Sequence, residues 1–263
     1  MAETQEDRSI LAEVDQYGVG TITLNRPHRL NAFTAKMLQN WAAALRDMGT
    51  DPAVKVIVIV GAGRAFCTGA DTAQVAQRGE ATLMEAKTFM MNSVHSIARA
   101  LRDIDKPVIA ALNGLARAGG VDMALLCDIR LAAESANFSE SYVNLGMISG
   151  GGGAYLLPPL VGTAKTFELL WGGEVISAAE AERIGLVSRV YPDAEFAAEI
   201  AAYARRLAAQ PPAAVQFYKR AVRQAPGQTL EAHLDAVSSH LAILRSTPEH
   251  KERIQALAAR KPK

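Results

Sequence analysis

The 263-residue sequence lacks most features of secreted and membrane proteins. Its only cysteines, Cys67 and Cys127, provide neither a disulfide framework nor metal-site spacing, and they suit a reducing compartment. No apolar run approaches the ~18 residues of a membrane span. The first residues are polar and acidic, unlike a secretory leader. We therefore expect a cytoplasmic protein with no membrane partner.

An excess of charge of one sign is also absent. The chain has 28 Lys+Arg and 27 Asp+Glu, for a formal net charge of +1. Without a broad basic field, we expect no nucleic-acid partner, and any anionic ligand must be held by a few local groups. The length and the 49% hydrophobic content suit one large α/β domain with a sizeable core.

The most informative stretch is residues 113–128, NGLARAGGVDMALLCD. An apolar run at residues 107–112 predicts a strand that ends in an Asn-Gly turn. A buried helix then begins near Gly119. Its first N–H groups have no partner within the helix, and the pair Gly119 and Gly120 allows close approach to the backbone. Such a helix start can stabilise a negative charge that develops on oxygen, with Asp122 in the same turn.

A second junction of this kind lies upstream. The β-branched run at residues 55–60 predicts a strand buried on both faces, and residues 61–71 form a glycine-rich loop after it. Each junction taken singly is compatible with an ordinary tight turn between a strand and a helix. The loop also lacks the third glycine of a dinucleotide-binding fingerprint.

The rest of the chain alternates strand and helix up to about residue 195. Strands are predicted at 10–14, 19–24, 129–132 and 186–190, and long amphipathic helices are predicted around Trp41 and from Met90 to Ile104. After residue 195 only helices are predicted, at 197–209, 215–224, 230–244 and 248–259. The fold class is therefore α/β with an attached helical region.

Taken together, these motifs resemble the crotonase (enoyl-CoA hydratase/isomerase) superfamily. The resemblance runs in order along nearly the whole chain. It is carried by the segments LNRP at 24–27, LNA at 30–32, FCTGAD at 66–71, KPVIAALNG at 106–114, AGG at 118–120, CD at 127–128, ISAAEA at 176–181 and GLV at 185–187.

The resemblance implies an architecture and an assembly. It implies a spiral of ββα turns over residues 1–195, which would carry an acyl-CoA site. It implies a C-terminal helical region over residues 196–263 that associates chains into a homotrimer or a dimer of trimers. Coenzyme A would enter as part of the substrate, and no metal or bound cofactor is implied.

The resemblance also implies an oxyanion hole for the enolate of a thioester. Motif matching assigns its two backbone N–H donors to Cys67 and Gly119. A nucleophilic role for Cys67 is the alternative, and it would require a neighbouring base. The acyl-CoA would contact Arg29 and Leu30 in the first loop. The remaining predicted contacts with acyl-CoA are Thr68, Gly69, Ala70, Asp71 and Gly120.

The acid–base residues depart from the usual hydratase pattern of two glutamates. The first glutamate position falls at Asp122 and the second at Tyr142, a phenol that is a poor base at neutral pH. Glu140 is a candidate for the missing carboxylate. If its segment is extended, Glu140 and Tyr142 lie two apart and share a face. Ser149 stands where proline is common, and no role is assigned to it.

Three functions remain open on this pattern. The first is an enzyme that hydrates or isomerises an enoyl-CoA. The second is a hydrolase or C–C lyase, acting on an acyl-CoA or a β-diketone, built on the same scaffold. The third is a catalytically weak paralogue that binds acyl-CoA or RNA, although an RNA-binding protein would show a basic stripe.

Overall fold

A computed structural model of the chain describes residues 8–77 and 81–259. Its strands lie in two sheets. In chain order they are β1 (Ile10–Val14), β2 (Val19–Leu24), β3 (Val56–Gly61), β4 (Ala65–Cys67), β5 (Val108–Leu112), β6 (Leu115–Arg117), β7 (Ile129–Ala133), β8 (Asn137–Ser139), β9 (Ile176–Ser177) and β10 (Arg189–Tyr191).

The larger sheet has the order β1-β2-β3-β5-β7-β10. β1 and β2 form the predicted antiparallel hairpin, and the other pairs are parallel. The central strands β3 and β5 are buried almost throughout, as their apolar runs predict. The predicted strand at 186–190 begins later, at Arg189, because Leu186 and Val187 donate their N–H groups to Ala181 at the end of a helix.

The smaller sheet has the order β4-β6-β8-β9. Its strand β6 was not predicted, since only four residues separate the Asn-Gly turn from the next helix. Strands β3, β5 and β7 of the larger sheet are each followed directly by a strand of the smaller sheet, and a helical segment comes next. This alternation confirms the expected α/β spiral of ββα turns.

The helices cover the sheets and form the C-terminal region. They are α1 (Ala35–Thr50), α2 (Thr72–Gln77), α3 (Leu83–Phe89), α4 (His95–Arg102), α5 (Gly119–Leu125), α6 (Gly153–Leu156), α7 (Pro158–Val161), α8 (Thr163–Gly172), α9 (Ala178–Arg183), α10 (Phe196–Ala208), α11 (Pro212–Gln224), α12 (Leu230–Ser246) and α13 (Pro248–Ala258). A π-helical turn, Met90–Val94, joins α3 to α4. None of the helices in the described ranges combines the length and apolar character needed to cross a membrane.

Helices cover both faces of the larger sheet. Gly20 on β2 faces Met48 of α1, whereas Val19 and Thr21 point to the opposite face and line a cavity against α10. Trp41 at the centre of α1 is fully buried, as its spacing predicts. The cavity beneath α10 has a volume of about 320 Å³, and no predicted site residue lines it.

The helices after residue 195 differ in how they contact the sheet. α10 buries Phe196 and Ile200 against it. α11, α12 and α13 contain no buried residue. Charged groups hold α11 in place: Lys219 and Arg223 form ion pairs of 2.7 and 2.9 Å with Asp128, which follows α5. That residues 196–263 serve in oligomerisation stays a prediction.

Replacing Asp128 with asparagine tests this attachment. Asp128 also accepts the Val108 N–H, and the Lys219 side chain is only 7% exposed, so the variant leaves a nearly buried cation without its counter-charge. We expect Asp128→Asn to lower the free energy of unfolding by about 2–4 kcal/mol in urea denaturation. Asp103→Asn is the control, because its ion pair with Arg102 is exposed and should contribute less than about 1 kcal/mol. Equal effects of the two variants would contradict the proposed attachment.

Candidate active site

The start of α5 packs directly against β4. A Cβ atom at Gly120 would lie 1.9 Å from the carbonyl oxygen of Cys67, so only glycine fits there. Ala118, just before the helix, adopts φ 43° and ψ −115°. An alanine with positive φ costs about 1–3 kcal/mol and is typical of functional sites.

The glycine-rich loop after Cys67 lies against the same helix start. A Cβ at Gly69 would be 3.2 Å from the Gly119 nitrogen, so the two predicted donor segments are neighbours. The first loop closes over them: Phe33 donates its N–H to the Gly69 carbonyl, and the Thr68 hydroxyl donates to the Leu30 carbonyl. The structure therefore brings the predicted oxyanion and acyl-CoA residues of these loops into one place.

Asp71 at the end of this loop is already engaged by a cation. Arg26 forms a 2.9 Å ion pair with Asp71 and also donates to the Ala32 carbonyl. Burial raises the pKa of Asp71, but hydrogen bonds from Arg26 and the Ala73 amide outweigh it and hold that pKa below its usual value. Arg26 thus has a structural role, whereas Arg29 is exposed to solvent.

Neither cysteine is a nucleophile at neutral pH. Burial raises the pKa of the Cys67 thiol to about 12, despite a hydrogen bond from the Gly69 backbone. Burial also raises the pKa of Cys127 to about 12, and Cys127 packs as a core residue after α5. A thiol must lose its proton to attack, so the alternative role of Cys67 is not supported.

The centre of the site is the carboxylate of Asp122, which is fully buried on α5. Three donors reach it. The Tyr142 hydroxyl lies 2.6 Å from Oδ2, the Ser149 hydroxyl 2.7 Å from Oδ1, and the Gly151 N–H 2.9 Å from Oδ2. Ser149 also accepts the Gly153 N–H at 2.7 Å, so it links Asp122 to the start of α6.

Sequence reasoning assigned no role to Ser149 or Gly151. Ser149 is 27 positions from Asp122 in the chain, and Gly151 contributes only a backbone group. The serine in place of a proline was the one available signal, because it adds a hydroxyl where none is usual. A folded loop was needed to show where that hydroxyl points.

Tyr142 reaches Asp122 from a 3₁₀ helix, Ser141–Leu145, and not from an extended segment. The extended strand β8 ends at Ser139, so the condition for a shared strand face of Glu140 and Tyr142 is not met. Its hydroxyl would lie 3.3 Å from a Cβ atom at Gly119, which puts it beside the helix start. Burial and then the charge of Asp122 raise the pKa of Tyr142 above its usual value. Tyr142 therefore stays a neutral phenol and acts as a hydrogen-bond donor.

Glu140 lies in the same cluster although its segment is not extended. Its residue is 3% exposed, and within the described part of the chain neither carboxyl oxygen has a hydrogen-bond partner. A Cβ atom built on Gly153 would lie 2.7 Å from Asp122 Oδ1, 2.9 Å from Ser149 Oγ and 3.0 Å from Glu140 Oε1. Burial and then the charge of Asp122 raise the pKa of Glu140 to about 9.

The loop that carries Ser149 and Gly151 is held from the start of α4. His95 Nε2 lies 3.0 Å from the Gly150 carbonyl oxygen, and a Cβ at Gly150 would contact the Met90 side chain. His95 therefore braces the loop behind Asp122. Among the described residues there is no group of three His, Cys, Asp or Glu side chains that could hold a metal ion.

Comparison with known proteins identifies relatives by sequence and by structure, and they agree on one family. The family model described as Enoyl-CoA hydratase/isomerase matches residues 15–263. The chain is 33% identical to the 1,2-epoxyphenylacetyl-CoA isomerase of Escherichia coli over 96% of both chains. It is 33% identical to the crotonyl-CoA hydratase of Syntrophomonas wolfei over 90% of both. The crystal structure of an enoyl-CoA hydratase from Mycobacterium smegmatis superposes with a TM-score of 0.89 at 30% identity, covering 97% of this chain and 98% of that one.

Removing the Ser149 hydroxyl tests the support of Asp122. Ser149→Ala takes one donor from Asp122 and leaves the Gly153 N–H without its acceptor. We expect the free energy of unfolding to fall by about 1–3 kcal/mol, measured by urea denaturation. Ser238→Ala is the control, because Ser238 is exposed and bonds only within its own helix; its effect should stay within about 0.5 kcal/mol. A neutral Ser149→Ala would mean that water replaces the hydroxyl without loss.

Proposed function

The chain belongs to the enoyl-CoA hydratase/isomerase family, and we propose that it transforms an enoyl-CoA through a thioester enolate. The observation that carries this proposal is the position of Asp122. It is a buried carboxylate with three donors, in the first turn of the helix that begins at Gly119. An acid–base group therefore stands next to a helix start that can stabilise negative charge on oxygen.

We propose the Cys67 and Gly119 N–H groups as the oxyanion donors. The close packing of Gly120 on the Cys67 carbonyl and of Gly69 on Gly119 supports this assignment, because it holds the two backbones rigidly together. Preorganised donors of this kind lower a reaction barrier by roughly 3–4 kcal/mol each. Only backbone groups are needed, which is compatible with a thiol of high pKa at Cys67.

The reaction that the site supports best is migration of a double bond. Asp122 takes a proton from the carbon beside the thioester carbonyl, and the electron pair moves onto the carbonyl oxygen. Return of that proton to the carbon two positions further along re-forms the carbonyl and shifts the double bond. One proton carrier is sufficient, while Tyr142 holds Oδ2 through its hydrogen bond. The shift is redox-neutral, so the proposal includes no metal and no bound cofactor.

Hydration is the second candidate. It requires a second carboxyl group to position water, and Glu140 lies close to Asp122. Similarity to a crotonyl-CoA hydratase points the same way. Tyr142 in the second glutamate position argues against it, because a neutral phenol cannot deprotonate water.

The contacts with coenzyme A remain part of the proposal. Arg29 is exposed beside Leu30 and is available to a phosphate of the coenzyme. Since Arg26 occupies the Asp71 carboxylate, we propose that residues 68–71 and Gly120 contact the acyl-CoA mainly through their backbone. No nucleic-acid or membrane partner is proposed.

A panel of enoyl-CoA esters tests the function directly. Purified protein is incubated with 2-enoyl and 3-enoyl esters, and the products are identified by mass spectrometry and NMR. Isomerisation leaves the mass unchanged and moves the double bond, whereas hydration adds one water. Release of free coenzyme A would show a hydrolase, and a shortened acyl chain would show a C–C lyase. Binding of acyl-CoA without any product would favour the weak paralogue, as would binding of RNA.

Asp122→Asn is the decisive variant for the acid–base assignment. The amide keeps the shape of the side chain but cannot accept a proton, so we expect kcat to fall by about 10²–10⁴-fold. Coenzyme A binding, measured by calorimetry, should persist. Tyr142→Phe should cost less, because the phenol only donates to Asp122 in this proposal. Asp103→Asn serves as the control, because Asp103 is exposed and pairs only with Arg102 among the ion pairs of the described residues. An unchanged kcat in Asp122→Asn would move the chemistry elsewhere.

We also propose that the chain assembles as a homotrimer or a dimer of trimers. Large apolar side chains of the C-terminal helices are exposed in the single chain, including Tyr218 at 73%, Val222 at 70% and Leu230 at 72%. Apolar surface of this extent is typical of a contact between chains.

Analytical ultracentrifugation tests the assembly. The full-length protein should sediment as a trimer or a hexamer, because burial of these side chains favours association. Replacing Val222 and Leu230 together with glutamate should shift the distribution to smaller species without loss of helical circular dichroism. Glu231→Gln is the control. Glu231 is exposed, so this variant should leave the sedimentation distribution unchanged. A stable monomer of the unmodified chain would contradict the proposal.

A further inference from the structure

Glu140 is a buried titratable group that the proposed mechanism does not use. One side of it is apolar. Six apolar side chains from six segments of the fold line the space beside it together with Ser139, namely Val121, Phe138, Leu157, Leu169, Ile176 and Leu186. The space that remains beside it has a volume of only about 10 Å³, room for no more than about one water. Among the described residues, the titratable groups that face Glu140 are Asp122 and Tyr142.

The two carboxyl groups of the cluster differ in the number of hydrogen bonds that they accept. Asp122 accepts three hydrogen bonds, whereas neither oxygen of Glu140 has a donor within the described part of the chain. A buried carboxylate with no donor is costly, and a second negative charge beside Asp122 adds to that cost. The proton of the pair therefore belongs on Glu140.

The hydrogen bonds of Asp122 also indicate which of its two oxygens is available to the Glu140 proton. Asp122 Oδ2 accepts from both Tyr142 and Gly151, while Oδ1 accepts only from Ser149 among the described groups. Oδ1 lies near Glu140, because Oδ1 and Glu140 Oε1 are 2.7 and 3.0 Å from the same point, the position of a Cβ atom on Gly153. A carboxylate oxygen has room for a second hydrogen bond, and a small rotation of Glu140 supplies one.

We infer that Glu140 is a positioning residue that acts as a neutral carboxylic acid and directs its O–H at Asp122 Oδ1, so that the resting site carries one negative charge. This inference rests on the proposed function for its catalytic consequence, but not for the state of Glu140 itself. The rise of the pKa of Glu140 to about 9 agrees with it.

Loss of that proton should inactivate the site. When Glu140 ionises, Asp122 Oδ1 loses the O–H that positions it, and the enolate must form in a site that keeps the negative charge of Glu140. We expect kcat/KM of the wild-type protein to fall as the pH rises through about 9. In Glu140→Gln this fall should disappear, because the amide cannot ionise. At pH 7 the variant should lose about 3- to 10-fold in kcat/KM, the size of one weakened hydrogen bond.

Stability provides a readout that does not depend on turnover. The folded protein keeps a proton on Glu140 that the unfolded chain releases above pH 4.5, so the contribution of this group to stability is complete below pH 4.5 and declines as the pH rises towards about 9. Glu140→Gln has no such decline. The stability of the variant relative to wild type should therefore increase over that interval, and exposed Glu134→Gln should show no such trend.

Infrared spectroscopy of the wild-type protein keeps the inference testable even if the variant folds poorly. At pH 7 the spectrum should contain the C=O band of a protonated carboxyl group, which Glu140→Gln removes and Glu134→Gln does not. Absence of that band, or pH–stability curves that stay parallel, would overturn the inference. If the band is present but no enoyl-CoA is converted, the inference on Glu140 stands and the proposed function fails.

Discussion

A buried carboxylate imposes the central constraint on this molecule. Asp122 is fully enclosed on α5, and an ion so placed is tolerated only when donors surround it. Those donors come from two places, the 3₁₀ helix that holds Tyr142 and the loop that holds Ser149 and Gly151. Ser149 also accepts a hydrogen bond from the N–H of Gly153 at the start of α6, and His95 contacts the Gly150 carbonyl in the same loop. The segments from α4 to α6 are therefore linked around this one charge.

Close contacts between backbone segments are a second constraint on the structure. The ββα turns bring β4 and β6 against the ends of the larger sheet, where a side chain has no room. A Cβ at Gly61 would lie 2.0 Å from the Ala65 carbonyl oxygen, and one at Gly114 would lie 2.1 Å from that of Arg64. These glycines let the two sheets meet, and the same packing places Gly120 on Cys67. The proposed oxyanion donors are therefore held by the architecture and need no side chains of their own.

The helices α10 and α11 are attached to the rest of the chain by two different kinds of interaction. α10 buries apolar residues on the sheet, whereas α11 is attached by Lys219 and Arg223 to Asp128. Ion pairs specify where the helix docks, and they leave its apolar side chains exposed. α11 thus has a defined position on its own chain, and its exposed apolar side chains belong to the surface that we propose contacts another copy.

Local patterns in the sequence were sufficient for the fold class and for part of the site. β-branched runs, helical spacing and the Gly119–Gly120 pair determined the central strands, α1 and the start of α5, because these depend on neighbours in the chain. The short strand β6, the 3₁₀ helix under Tyr142 and the ion pair of Arg26 were not accessible in this way. The roles of Ser149 and Gly151, and the protonation of Glu140, depended on atoms up to 29 positions from Asp122 in the chain. Burial and the direction of a donor arise only when distant segments pack, so only the tertiary structure decided which carboxyl group is satisfied and which one keeps its proton.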